Sequence, residues 1–205
     1  MNSIEEPQLA PPGAGLPKPE LFIARLIFAA QSRLGNRDSF NAHFTRERQT
    51  IHQLVATGNP AAAATRVLIA RLPGLEDSSR YWSVCMTLDH LRIVNHGIAR
   101  TISSLSKEIS PAGQASTAAV KPNPTVDLSV LDAYEKSCDA VLAAVSAAPN
   151  LNSRARFTHP WFGPLNASGW HAMAGSHMSI HRKQIERILH RLASADASSN
   201  RNGHS

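Results

Sequence analysis

Apolar residues recur at helical rather than strand spacing along most of this chain. The first such stretch, 18–34, carries Leu21, Phe22, Ala24, Leu26, Ile27, Phe28 and Ala29 in a broad stripe interrupted by Arg25. Pro19 is tolerated in a first helical turn, and Gly35-Asn36 reads as the stop. The stripe predicts a helix packed on the rest of the protein, with a membrane-surface or oligomer contact as the alternative. A second helix is predicted over 38–57, capped by Asp38 or Ser39. Phe40, Phe44, Ile51, Leu54 and Val55 form its inner face, and Arg46, Glu47 and Arg48 its wet one. Gly58-Asn59-Pro60 ends it, and 61–70 reads as a short helix or an extended linker.

Asp77-Ser78-Ser79 offers caps for a long helix over 78–107. Its apolar residues, among them Trp82, Cys85, Leu88, Leu91 and Ile98, imply a central place. Residues 110–124 form a linker of proline, alanine and small polar residues, long enough to cross an end of the molecule and rim a site. Two more helices are predicted over 127–148 and 167–193. No stretch alternates as strands, and no repeat has a solenoid period. The pattern is all-α: a four-helix bundle with an additional N-terminal helix, its long second connection permitting a non-simple topology. The segments read as a disordered leader (1–17), an accessory helix (18–36), the bundle (37–193) and a flexible tail (194–205).

A length of 205 residues suits one domain with extensions, and 42% hydrophobic with 18% charged residues is the balance of a globular protein. The net charge of +6 is spread through the helices rather than clustered. No Lys/Arg run interleaves with aromatics, so nucleic-acid binding is not expected, although an anionic small substrate would suit the charge. Cys85 and Cys138 lack finger or CxxC spacing and read as buried reduced thiols. With no basic and apolar leader at the N-terminus and no membrane span, a cytoplasmic location is expected.

The chemistry concentrates near the C-terminus. His177 and His181 are four residues apart on a predicted helix, about 40° apart around its axis and about 6 Å along it. Two imidazoles so placed can share a divalent metal, as in HExxH helices, and a third ligand must come from elsewhere. His90, on the long central helix, is the best donor. His159 reads as a loop-capping residue, with a ligand reaching the open end of the bundle as the alternative. His171 and His96 fall on other helix faces, and His43, His52, His190 and His204 read as surface residues. Asp89 projects about 100° from His90 and reads as a surface or helix-partner residue, and Cys85 projects about 140° away. Gln184 could either hydrogen-bond a ligand histidine or simply pack. Trp82, Trp161, Phe162 and Trp170 read as core, with an apolar pocket wall as the alternative. No Ser/His/Asp set, phosphate loop or HExxH glutamate is present.

The residues Asp89-His90-Leu91, His177-Met178-Ser179-Ile180-His181 with Gln184, and His159-Pro160-Trp161-Phe162-Gly163-Pro164-Leu165 followed by Trp170 resemble the DinB/YfiT-like superfamily over roughly Arg37 to Ala193. The resemblance implies a small bundle holding a divalent metal, zinc, nickel or iron, on His90, His177 and His181. Many relatives carry a histidine doublet ending at the last ligand. Ile180 stands at the first of those positions here, which removes a proton-shuttling role for the doublet. The resemblance further implies a metal-dependent enzyme acting on a small molecule, as a transferase using a low-molecular-weight thiol or as a hydrolase. The alternatives are a non-catalytic metal- or ligand-binding bundle, and an interaction protein, for example a homodimer, using the N-terminal helix.

Overall fold

The computed structural model describes residues 6–202. Helix α1 spans Lys18–Leu34 and stops where Gly35 N–H closes onto the Gln31 carbonyl. Helix α2, Arg37–Thr57, is capped two or three residues earlier than expected. Asn36 is the cap, its Oδ1 accepting from Ser39 N–H while Ser39 Oγ accepts from Asn36 N–H. Ser39 thus reciprocates the cap rather than supplying it.

The long central helix also begins later than its apolar pattern suggests. Residues 77–79 form a 3-10 turn, and Tyr81–Trp82 is strand β2, paired antiparallel with strand β1 at Val67–Leu68. Helix α3 is therefore Val84–Leu105, capped by Ser83 Oγ on Met86 N–H. Trp82 fits a helical stripe and a strand equally well. The pairing of Val67 with Trp82 and the serine cap decide for the strand. Helix α4 spans Val130–Ser146, three residues late because Asp127 binds Ser129 N–H in a local turn. A hairpin of β3 (Phe157–His159) and β4 (Gly163–Leu165) follows, and the 36-residue helix α5 runs Ala167–Asn202.

Helix α3 packs on α4 and α5, and α5 packs on α2 and α3. Of these pairs α3–α4 is consecutive, while α5 returns to pack on α2 and α3, which the long connections allow. The result is a mostly helical four-helix bundle with α1 as an extra helix against α5 and, among the described residues, two small sheets. The core is continuous from Phe44 and Ile51 through Leu88, Leu91 and Ile102 to Val141, Met178 and Ile185, all fully buried or nearly so.

Helix α1 divides its apolar stripe. Phe28 is buried against Phe162, with ring centroids 4.5 Å apart. Phe22, Ile23, Leu26 and Ile27 on the other side are each more than half exposed. Of the expected leader, residues 1–5 lie outside the described residues. Residues 6–17 run along the 66–77 segment, where Glu6 pairs with Arg66 and Ala10 N–H donates to Asp77. The expected tail is helical through residue 202, and 203–205, with His204, lie outside the described residues. No helix among the described residues is long and apolar enough to cross a membrane.

Candidate metal centre

Helix α3 carries Asp89 and His90 side by side, and both grip the linker that crosses the bundle end. Asp89 is buried, not on the surface. Its Oδ2 accepts from Asn123 N–H at 2.9 Å and its Oδ1 from Arg92 at 2.9 Å. His90 Nδ1 lies 2.7 Å from the Val120 carbonyl. A carbonyl only accepts, so Nδ1 holds the proton and Nε2 presents a lone pair.

On α5 the i,i+4 spacing sets His177 and His181 beside that nitrogen. His177 Nε2 is 3.1 Å from His90 Nε2. One ring nitrogen from each of His90, His177 and His181 lies within 4.8 Å of the others. His181 Nδ1 donates to Gln184 Oε1 at 2.7 Å, leaving its Nε2 free. The Gln184 amide cannot flip without loss, because its nitrogen donates to the Ser79 carbonyl at 2.8 Å. Gln184 thus serves His181, one turn back, rather than His177 on its own face. Trp82 stacks almost parallel to the His181 ring, at 10° and 6.1 Å.

Burial keeps the cluster neutral. It pushes His90 down to about 4 against the opposing effect of the Val120 carbonyl, with Lys121 lowering it further. Burial, and then the neighbouring histidines, hold His177 and His181 well below the ordinary range. Neutral imidazoles with bare, converging nitrogens are metal-ligand chemistry. Two nitrogens at 2.0–2.1 Å from one tetrahedral ion sit about 3.3 Å apart, close to the 3.1 Å between His90 and His177. The residues fit a divalent ion.

The cluster borders a cavity of about 170 Å³. The linker forms one wall with Val120 and Lys121, and the β3–β4 hairpin forms another with His159, Trp161 and Phe162. Arg25 of α1 fastens that hairpin by donating to the Trp161 carbonyl at 2.6 Å. His159 caps its turn as expected, Nδ1 accepting from Trp161 N–H, yet the residue also lines the cavity. Trp161, Phe162 and Trp170 are cavity wall, the reading given second place from sequence.

The remaining candidates fall elsewhere. His171 is buried against Asn41, and His43 sits beside Glu47. Burial pushes Cys85 up to about 11 and Cys138 up to about 12, so neither is a ready thiolate. Sequence reasoning allowed the 110–124 linker to rim a site but singled out none of Val120, Lys121 and Glu76, all of which line the cavity. They lie in connections whose path no periodicity reveals.

A comparison with curated proteins finds no match. Among solved structures, the chain is similar to TT2238, described as a four-helix bundle protein. The TM-score is 0.55 at 20% identity, over 74% of this chain and 98% of that one, a likeness of fold. Residues 43–185, a span that takes in all three clustered histidines, match the DinB superfamily, and the chain belongs to that superfamily.

Proposed function

We propose that His90, His177 and His181 hold one divalent transition metal and that the chain is a metal-dependent enzyme for a small molecule. One observation carries this reading. Two of the three imidazoles have their Nδ1 protons tied to fixed acceptors, which turns bare nitrogens toward a common point beside a cavity. Three ligands leave positions open, as catalytic rather than structural sites do. When bound, such an ion supplies Lewis acidity that acidifies water or a thiol at neutral pH.

The chain's own residues do the rest. Val120 and Gln184 fix the histidine tautomers, Trp82 covers the His181 ring, and the hairpin limits access by water. A cavity of about 170 Å³ is close to the size that holds benzene. It takes a small substrate, or only the reacting end of a low-molecular-weight thiol. Thiol transfer is favoured over hydrolysis because a metal stabilises a thiolate directly. Zinc, nickel and iron(II) all suit three imidazoles.

The test is metal analysis of untagged protein, paired with thermal melting. Wild type should retain about one ion and His181→Ala almost none, with the fold kept, since a bundle of this size has core enough without the ion. Protein that takes up no metal after reconstitution would refute the centre. Collapse of the fold on chelation would instead make the metal structural.

Two buried free cysteines suit a reducing, cytoplasmic setting. The exposed apolar side of α1 favours self-association as a homodimer. Light scattering of the full chain and of a Leu26→Ser/Ile27→Ser variant tests it, with a dimer expected only for the former.

A further inference from the structure

Glu76 lies just before the 3-10 turn at residues 77–79 and lines the same cavity as the three histidines. Its side chain is buried, with 6% of the residue exposed. One oxygen is engaged. Oε2 accepts from Gly13 N–H at 3.4 Å and from Ser78 Oγ at 3.3 Å, and lies 3.7 Å from Lys121 Nζ. The other, Oε1, is buried and has no hydrogen-bond partner among the described residues. Buried carboxylate oxygens are rarely left so, because water solvates them well and apolar surroundings do not.

Glu76 is not a fourth ligand in this arrangement. The donor atoms lying within 4.8 Å of one another belong, among the described residues, to the three histidines. Nor is the nearby cation available to an anionic ligand. Lys121 donates to Ser78 Oγ at 2.8 Å and Ser79 Oγ at 3.2 Å, and its remaining direction is taken up by Glu76. Lys121 also offsets part of the Glu76 charge, which lowers the demand for a cationic ligand. Leu75, Val94, Ile98, Met173 and Ile180 make much of the remaining lining apolar. Apart from the histidines, whose His177 Nδ1 is also buried without a partner among the described residues, the acceptor left over in this lining is Glu76 Oε1.

We propose that Glu76 is a substrate-recognition residue. Its Oε1 accepts a hydrogen bond from the O–H or N–H of a small, uncharged, largely apolar molecule held beside the histidine cluster. The inference rests on reading this cavity as the substrate site. It selects a donor-bearing neutral molecule over an anion, against the expectation from net charge.

The experiment uses metal-free full-length protein and two probes of nearly equal size, cyclohexanol and cyclohexanone. The first can donate a hydrogen bond and the second only accepts. In calorimetric titration, wild type should prefer the alcohol by about tenfold, the scale of one hydrogen bond to a charged group. In Glu76→Gln the amide oxygen takes over the Lys121 side and the NH₂ serves the cavity, so the preference should vanish or invert. Glu76→Asp keeps the charge beside Lys121 but withdraws the oxygen. It should weaken alcohol binding and leave ketone binding unchanged, and it serves if the glutamine variant does not fold. Equal binding of both probes by wild type, binding of neither, or a preference that survives both variants would overturn the proposal. Metal content separates the two readings. Failure of wild type to hold metal sinks the metal centre and leaves the alcohol–ketone comparison standing.

Discussion

Replacing Gln184 by leucine tests whether the histidine cluster is built to hold metal or merely packed. Gln184 is fully buried and makes two hydrogen bonds, from His181 Nδ1–H and to the Ser79 carbonyl. Leucine matches its bulk and deletes both. Each buried group left without a partner costs about 1–3 kcal/mol. Two such groups, partly offset by the added apolar burial, give a net loss of about 3 kcal/mol. In a protein of this size that lowers the melting temperature by about 6–12 °C. The second effect falls on metal. Without its acceptor the His181 ring is free to rotate or to change tautomer, and a lost outer partner of a ligand histidine costs about 10–100-fold in affinity. Zinc competition against a chromophoric chelator measures the affinity, and calorimetry measures the melting. If melting falls while zinc affinity stays within about twofold of wild type, Gln184 is a packing residue and the argument for an oriented centre fails.

Metal-free protein should lose stability as pH falls. His171, fully buried, is held at about 4 against an ordinary 6.5, chiefly by burial, so its contribution is complete above pH 6.5 and disappears as pH drops toward 4. At 1.36 kcal/mol per unit this is at most about 3 kcal/mol, and urea titrations at pH 7 and pH 4.5 should show it where a flat profile would not. Gly74→Ala should destabilise by about 1–3 kcal/mol, because φ is +82° and a Cβ would meet Ile180 Cδ1 at 2.9 Å; an unchanged denaturation midpoint would contradict this. Gly175→Ala should cost about 1–3 kcal/mol by pressing α5 against His43 of α2, where a Cβ would lie 2.8 Å from Nδ1; combining it with His43→Ala should recover most of the loss.

The helices and the clustering of the three histidines were legible because both rest on periodicity. His177 and His181 need only helical spacing to converge, and His90 needs only a neighbouring helix. The residues that complete the site were not, for a common reason. Glu76 and Lys121 are brought in by irregular connections, where no repeat constrains direction. Trp82 misled for a different reason, since one aromatic beside an apolar run satisfies either period. Asp89 was read as a surface or helix-partner residue from helical geometry alone, which cannot foresee a linker crossing above it. The hairpin at 157–165 is too short to show strand alternation.

The grip of α3 on its linker also sets which mutations the site can absorb. His90 holds a main-chain oxygen at position 120, and Asp89 holds a main-chain N–H at position 123. Neither partner is a side chain, so most substitutions at Val120 or Asn123 leave both bonds available. Spacing is another matter. Adjacent residues on a rigid helix meet main-chain groups three positions apart, and deleting one residue between them would force one clasp to open. Positions 120 and 123 should therefore drift more freely than Lys121 between them, while the segment keeps its length, a fixed ruler with variable letters at its two ends.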